Sequence, residues 1–305
     1  MEGRDMFSIA TDYKTHLGDP DPYLRRIADA GYSNAHWCHQ WNTDLIYNRS
    51  EIQQIRRKIK EYGIEVNDVH GSEGCEKFWY SADESARLAG VDLVKNRLDL
   101  AAHLGGDAVV MHVYPEPNDP GDNEIFWTQL QRTLDTLEEH ARMRGVRIAV
   151  ENLVDFPGVR SGSVTFAEAR DNWETIGKIF SRYSPDFVGL CFDSGHSNLG
   201  RDRLDGLNPF LDRLLVLHLN DNDGSSDQHH LPFSDTINWS RVVRSIDKSS
   251  YDKPLNLEIT MRNSGIEDES EFLRQGLASC ERITSMIKRI RRVDPLPAGN
   301  RVRRE

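Results

Sequence analysis

The stretch VRIAVENL at residues 146–153 is one of four short runs, rich in Val, Ile and Leu, that each lead to a residue able to bind a metal ion. The other runs are VGLCFDSGH at 188–196, LLVLHLND at 214–221 and LNLEIT at 255–260. Strands buried on both faces have this composition. Polar residues at the carboxyl ends of successive parallel strands are typical of the mouth of a β/α barrel. Here they are Glu151, Asp193, His218 and Glu258.

The remainder of the chain repeats the same alternation of strand and helix. Further strands are predicted at 7–11, 32–41, 64–71 and 107–113, and a helix is predicted after each strand. Ser50 is predicted to cap the second helix, and glycines at 31, 63 and 145 are predicted to end three helices. Eight such units close into a barrel with right-handed crossovers. We therefore expect an α/β protein with a single-domain (β/α)8 TIM barrel at 1–292 and a mobile carboxyl-terminal tail at 293–305.

The bulk composition restricts the partners that the protein is expected to have. The chain of 305 residues is 38% hydrophobic and carries a formal net charge of -11, so no broad basic surface for nucleic acid is expected. The cysteines at 38, 75, 191 and 280 form no CxxC pair, which favours a reduced cytoplasmic protein. The amino-terminal MEGRDMFSIATDY lacks an apolar signal core, and no run approaches the ~20 apolar residues of a membrane span.

The four residues at the strand ends predict a metal site. In a barrel these positions converge on one axis, and burying three carboxylates together without a cation would cost several kcal/mol. Oxygen-rich ligation with one imidazole suits one divalent metal, with Mn²⁺ as the first choice and Mg²⁺, Co²⁺ or Zn²⁺ as alternatives. For any one of these residues alone, a helix cap or an ion-pair partner would be the commoner role.

Other side chains at the same face are candidates for substrate binding, although each of them could equally be a structural residue. His196 follows Asp193 by three residues, which places it over the site. The other candidates in loops and at strand ends are His70, His112, His229 and His230. Aromatic residues that could form an apolar wall against a sugar are Trp37, Trp41, Phe78, Trp79, Tyr80 and Phe156. Arg160 could bind a carboxylate or phosphate, and His39 is a weaker candidate.

The motifs VENL, FDSGH, LHLNDNDG and LEI resemble those of the sugar phosphate isomerase/epimerase superfamily, whose members have a xylose-isomerase-like barrel. That superfamily includes ketose 3-epimerases, hydroxypyruvate isomerases and inosose dehydratases. The resemblance covers nearly the whole chain. It implies that Glu151, Asp193, His218 and Glu258 are the metal ligands and that His196 contacts substrate. It also implies that Glu151 and Glu258 are the acid/base pair of the epimerase members.

A second branch, the three-zinc apurinic endonucleases, is also similar. His70 and His112 fall at its additional ligand positions, and DQHH resembles its Asp-x-His pair, which would correspond to Asp227 and His229. The following loop, LPFSDTINW, has Phe233 and Asp235 where the isomerases commonly have glycines. Whether His229 or His230 faces the site is left open.

The predicted chemistry starts from a carbonyl compound bound at the metal. A Lewis acid there would acidify the neighbouring C–H, and one Glu would remove the proton to give an enediolate. Return of a proton by the other Glu gives an epimerase or isomerase, the leading hypothesis. Loss of a leaving group from the same intermediate gives a lyase or dehydratase. An endonuclease and a barrel that binds a sugar without turnover are further alternatives. The expected partner is a sugar or polyol, and a homo-oligomer is an open possibility.

Overall fold

Eight parallel strands form a ring that helices surround, and a computed structural model describes it at residues 6–15, 17–38, 46–71, 79–155, 170–200 and 203–293. The strands are β1 Phe7–Ala10, β2 Asn34–Trp37, β3 Glu65–His70, β4 Ala108–His112, β5 Arg147–Glu151, β6 Val188–Asp193, β7 Leu214–His218 and β8 Leu255–Leu257. They pair in the order β8-β1-β2-β3-β4-β5-β6-β7. The sheet closes because the Leu219 N–H donates to the Asn256 carbonyl at 3.1 Å and the Leu219 carbonyl accepts from the Glu258 N–H at 3.2 Å. The predicted TIM barrel is confirmed.

The helices lie outside this ring, and polar caps and glycines define their ends. They are α1 Asp21–Ala30, α2 Arg49–Glu61, α3 Glu84–Leu104, α4 Pro120–Arg144, α5 Trp173–Arg182, α6 Ser194–Leu199, α7 Trp239–Lys248 and α8 Glu269–Val293. Short 3₁₀ helices occur at Arg203–Asp205, Asn208–Arg213 and Met261–Asn263. Gly31, Gly63 and Gly145 have φ values of 102°, 66° and 65°, so these three predicted stops adopt the left-handed backbone that glycine favours.

Successive residues of the strands serve two different cores. Val109 and Ile148 belong to the large core between the barrel and the helices. Val110, Ala149 and Cys191 lie in a separate small cluster, which fills the inside of the barrel because side chains alternate along a strand. The apolar filling ends where the strands end, and the polar candidate residues follow there.

Several predicted boundaries were wrong by a few residues, for local reasons. The cap of α2 is Asn48, not Ser50, because its side chain accepts hydrogen bonds from two backbone N–H groups while Glu51 bonds back to Asn48 N–H. The run at 188–196 is a strand as far as Asp193, the last strand residue that was predicted, and the Asp193 side chain caps the short helix α6. The strand predicted at 32–41 is described only at Asn34–Trp37.

A two-stranded antiparallel hairpin, Val154–Asp155 with Arg170–Asp171, was not predicted. His39, Trp41, Phe78, Phe156 and Arg160 lie outside the described residues, as does the tail beyond Val293. The described helices include none with the length and apolar character needed to cross a membrane. The predicted domain limits, location and homo-oligomer stay predictions.

Candidate metal centre

Glu151 is the centre of the candidate site, at the end of β5 and almost fully buried. Its Oε2 lies 3.1 Å from Nε2 of His112 and 3.9 Å from Nε2 of His70. Its Oε1 lies 3.3 Å from Nδ1 of His218 and 3.2 Å from Nδ1 of His196. A single carboxylate therefore joins histidines that lie at, or just beyond, the ends of four different strands.

The four predicted ligands meet around Nδ1 of His218. This nitrogen lies 3.1 Å from Oε2 of Glu258, in addition to its contact with Glu151. One donor atom from each of Glu151, Asp193, His218 and Glu258 lies within 4.8 Å of the other three. The side chains of His218 and Asp193 are fully buried, whereas that of Glu258 is 14% exposed. Glu258 is thus the most accessible of the four.

Two further groups of donor residues flank this set. His70, His112 and Glu151 offer three atoms within 4.8 Å of one another. On the other side, Asp227 Oδ2 lies 3.3 Å from Nε2 of His196 and 2.9 Å from Nε2 of His229. The quartet of predicted ligands, Glu151, Asp193, His218 and Glu258, is therefore part of a larger group of imidazoles and carboxylates.

The structure places the two adjacent histidines, His229 and His230, in different surroundings. His229 Nδ1 lies 2.9 Å from the backbone carbonyl of Glu258 and 3.8 Å from its Oε2, so His229 borders the ligands. His230 instead pairs with Asp235 at 2.5 Å. Trp79 is buried and donates its indole N–H to the His112 carbonyl at 3.0 Å. The predicted substrate contacts of these residues stay predictions.

A register shift in the barrel brings Asp193 and His218 side by side. Leu190 pairs with Leu214 but Cys191 pairs with Val216, so one extra residue of β7 precedes the pairing of Asp193 with His218. Such bulges re-aim side chains beside functional sites. Two amides then hold Asp193 in place: Asn152 exchanges hydrogen bonds with its backbone, and Asn220 Nδ2 donates to its carboxylate Oδ2 at 2.7 Å.

The long loop after β7 is built on the buried carboxylate of Asp221. It accepts hydrogen bonds from Phe233 N at 3.0 Å, Ile237 N at 3.1 Å and Trp239 Nε1 at 2.8 Å. His229 and Phe233 adopt φ values of 52° and 74°. Phe233 thus holds the left-handed backbone that glycine favours in a loop, which explains how this loop forms without the glycine that is common at that position.

Among the three acidic members of the quartet, Asp193 is the one whose pKa is raised. Burial, together with the charges of Glu151 and Glu258, raises the pKa of Asp193 to about 7, although His196 opposes this shift. Burial would also raise the pKa of Glu151, but the charge of His218 and hydrogen bonds from the surrounding histidines hold it well below its usual value. The charge and hydrogen bond of His218 likewise outweigh burial and lower the pKa of Glu258.

This donor set fits a divalent cation. Within the described part of the chain, the ion-pair partners of Glu151, Asp193 and Glu258 are all histidines, and no Lys or Arg pairs with them. Buried carboxylates need a compensating charge, and a divalent ion supplies more of it than one protonated imidazole does. Glu151, Asp193, His218 and Glu258 could therefore hold an ion, with the flanking groups offering room for others.

Sequence reasoning missed His36, at the end of β2. Its ring centroid lies 4.7 Å from that of His218, and the side chain is fully buried. The signal was present, because a histidine in a predicted strand of the barrel is a candidate of the same kind as His70. The prediction that this strand continued to Trp41 directed attention to His39 instead.

The fold and these donors define the class of protein: the chain belongs to the xylose isomerase-like TIM barrel family, whose family model matches residues 24–276. This match confirms the resemblance to the sugar phosphate isomerase/epimerase superfamily. An uncharacterized protein, y4fM, of Sinorhizobium fredii is 32% identical over 286 residues, which are 87% of this chain and 88% of that protein. Fructoselysine 3-epimerase of Escherichia coli O157:H7 is 23% identical over 210 residues, or 68% of this chain and 73% of the enzyme.

Solved structures share the fold over nearly the full length. An L-ribulose 3-epimerase has a TM-score of 0.75 at 13% identity, covering 97% of this chain and 99% of its own. A 3-keto-D-glucoside 4-epimerase of E. coli has a TM-score of 0.67 at 19% identity, covering 90% and 99%. At these identities the likeness is one of fold.

Proposed function

We propose that the protein is a divalent-metal-dependent epimerase or isomerase of a sugar or keto-polyol. One observation carries the proposal: the carboxylates of Glu151 and Glu258 both reach Nδ1 of His218, at 3.3 and 3.1 Å, from strand ends that are not neighbours in the barrel. Two carboxylates approaching one point from different sides suit the removal and return of a proton at one carbon. The relatives named as 3-epimerases support this choice.

In this proposal Glu151, Asp193, His218 and Glu258 hold the ion, which supplies Lewis-acid polarisation of the substrate carbonyl when bound. Glu258, with its partly exposed side chain, takes the proton from the carbon next to that carbonyl onto a carboxylate oxygen. Glu151 delivers a proton to the opposite face. His196, which is 14% exposed beside Glu151, donates a hydrogen bond to a substrate hydroxyl. Mn²⁺ remains our first choice of metal.

The same residues also allow a lyase. If a hydroxyl or another leaving group stands β to the carbonyl, this group departs after Glu258 has removed the proton, and no proton is returned to the carbon. The protein would then be a dehydratase or lyase on a keto-sugar or keto-polyol. The two reactions share their first step and differ only in the fate of the intermediate.

A second candidate function is favoured by the flanking donor groups. The trio of His70, His112 and Glu151 and the contacts of Asp227 with two histidines would suit two additional ions, and hydrolysis of a phosphoester often uses several metals. A three-metal hydrolase resembling the apurinic endonucleases is therefore the competitor. The net charge of -11 weighs against a nucleic-acid substrate.

Metal counting and solvent exchange test these alternatives. The full chain would be stripped with a chelator, reloaded separately with Mn²⁺, Co²⁺ and Zn²⁺, and analysed for bound metal per chain. Each form would then be incubated in D₂O with ketoses, inososes and 3-keto-sugars. Deuterium at the carbon next to the carbonyl, with formation of an epimer or isomer, supports the proposal. Release of water or aglycone supports the lyase.

The matched variants are Glu258→Gln and Glu267→Gln, the latter at an exposed carboxylate on the same segment. We expect Glu258→Gln to abolish deuterium incorporation and Glu267→Gln to leave it unchanged. Three bound zinc ions with cleavage of abasic DNA and no exchange into any sugar would refute the epimerase proposal and establish the competitor. Tight sugar binding without exchange would indicate a non-catalytic barrel.

A further inference from the structure

His36 lies next to the candidate metal centre but is not one of its predicted ligands. Its ring meets that of His218 edge to face at an interplanar angle of 68°. One nitrogen of His36 lies within 4.8 Å of both a nitrogen of His218 and a carboxylate oxygen of Glu258. Within the described structure, Nε2 of His36 is buried without a hydrogen-bond partner, and Nε2 of His218 has none of ordinary geometry, although the thiol of Cys191 lies close enough to His218 to contribute to its raised pKa.

The other side of the His36 ring is fixed by a buried charge pair. Its Nδ1 lies 2.5 Å from Oδ1 of Asp68, and the second oxygen of Asp68 lies 3.1 Å from Nζ of Lys253. Lys253 is held in turn at 2.5 Å by Asp107, which precedes β4. The chain of contacts therefore runs from the mouth of the barrel through its interior towards the opposite end.

A second register shift sets up this contact. Ala35 pairs with Val66 but His36 pairs with Asp68, so Asn67 is an extra residue in β3. Without this bulge, regular pairing would place Asn67 opposite His36 on the same face, and the side chain of Asp68 would point to the other face. The bulge at Asn67 thus brings the carboxylate of Asp68 to His36.

These contacts determine where the protons of the two imidazoles lie. An ionised carboxylate only accepts hydrogen bonds, so Nδ1 of His36 carries a proton and Nε2 of the neutral ring is an acceptor. Nδ1 of His218 faces the carboxylates and any ion that they hold. A histidine that ligates through Nδ1 carries its proton on Nε2 and is a donor there. Nε2 of His36 therefore offers the acceptor that the Nε2–H of His218 requires.

We propose that His36 is a positioning residue: anchored by Asp68 and Lys253, it accepts the Nε2 proton of His218, directly or through one water molecule, and so fixes the tautomer and orientation of this ligand. The inference rests on the metal site of the proposed function. Metal-binding histidines commonly donate their second N–H to a fixed acceptor, and loss of that acceptor weakens metal binding. A neutral imidazole backed by a buried carboxylate provides the acceptor here.

Two competing roles can be separated from this one. His36 could itself ligate an ion, because it forms a donor group with His218 and Glu258. Alternatively, Cys191, which lies with Glu151 and His218 in another donor group, could be the partner of His218. A ligand role predicts a loss of metal stoichiometry, whereas a positioning role predicts a loss of affinity at constant stoichiometry.

The test measures Zn²⁺ binding and the ring nitrogens of His218. The dissociation constant and stoichiometry of Zn²⁺ would be determined by chelator competition for the wild type, His36→Leu, His36→Gln and His140→Leu. His140 is the matched control, since it also pairs with an aspartate, Asp99 at 2.7 Å, but on α4 outside the barrel. ¹⁵N NMR of histidine-labelled protein would report the tautomer of His218, and circular dichroism would report folding.

We expect His36→Leu to weaken Zn²⁺ binding by about 10-fold to 100-fold at unchanged stoichiometry, with altered ¹⁵N signals of His218. His36→Gln, which keeps an acceptor oxygen, should recover part of this loss and also serves if the leucine variant does not fold. His140→Leu should bind as the wild type does.

Three results would overturn the proposal. Loss of a whole equivalent of Zn²⁺ in both His36 variants would make His36 a ligand. Wild-type affinity and unchanged His218 signals in both would show that another group, such as Cys191, holds the ring. A wild-type chain that binds no Zn²⁺ would remove the metal site itself, and the proposed function with it.

Discussion

Replacement of Asp193 by asparagine should separate the folding of the site from its affinity for metal. Asparagine is also a good helix cap, so it can keep the hydrogen bond from His196 N–H. The amide of Asn220 can turn to accept from it, because Oδ1 of Asn220 has no partner in the described structure. At separations near the 4.8 Å limit of this group, two carboxylates repel by about 3 kcal/mol at an effective dielectric constant of about 20. The metal-free variant should therefore melt at or above the metal-free wild type.

Metal should stabilise the wild type more than it stabilises the variant. Changes in residues that merely support ligands cost about 10-fold to 100-fold in affinity, so loss of the Asp193 carboxylate should cost at least about 100-fold. With free Mn²⁺ at about 100 times the wild-type Kd, binding stabilises the wild type by about 2.7 kcal/mol and the variant by about 0.4 kcal/mol. For a chain of this size these values correspond to rises in Tm of about 4 °C and about 0.6 °C. Thermal melts with and without Mn²⁺ measure both.

The control is Asp83→Asn, which makes the same change at the cap of α3, where Asp83 accepts a hydrogen bond from Ala86 N–H far from the site. Its metal-induced rise in Tm should equal that of the wild type. An equal rise in Asp193→Asn would show that Asp193 is not a ligand. A large drop in the Tm of the metal-free variant would show that its charge serves the fold instead.

Two further changes test the framework around the ligands. Asp221→Ala should lower the free energy of unfolding by about 3–5 kcal/mol, because it leaves several buried donors, including the Trp239 indole, without an acceptor. Urea unfolding measures this loss, with the exposed-site variant Asp223→Ala as the control. Gly195→Ala would place a Cβ 2.1 Å from Oδ1 of Asn220 and displace the amide that holds Asp193. Metal affinity should therefore fall by about 10-fold. An unchanged affinity would mean that this amide does not orient the carboxylate.

The sequence was sufficient to predict the barrel and the convergence of the quartet at one rim, for a simple physical reason. Apolar runs buried on both faces mark the strands, and in a parallel barrel the residues that follow them must meet at one rim. Glu151 and His218 could be brought together by this argument although 67 residues separate them. The flanking His70 and His112 follow by the same argument.

The details that depend on backbone irregularities could not be predicted. An extra residue in a strand, such as Asn67 or Leu215, leaves no mark in a run of strand-forming residues, because both the regular and the bulged pairing bury the same apolar side chains. The contact of His36 with Asp68 depends on one such bulge. The left-handed backbone of Phe233 was likewise unpredictable, since it is held by long-range contacts with Asp221 and the guanidinium of Arg282, 3.8 Å from its ring centroid.

The two bulges have a consequence for how this barrel tolerates change. Deletion of Leu217, between the bulge of β7 and His218, would preserve strand length within one residue and leave the flanking helices untouched, yet it would turn the side chain of His218 to the outer face. Single-residue deletions in these two strands should therefore be far more harmful to chemistry than deletions of equal length in the loops. Engineering of new activities on this scaffold is best confined to the loops.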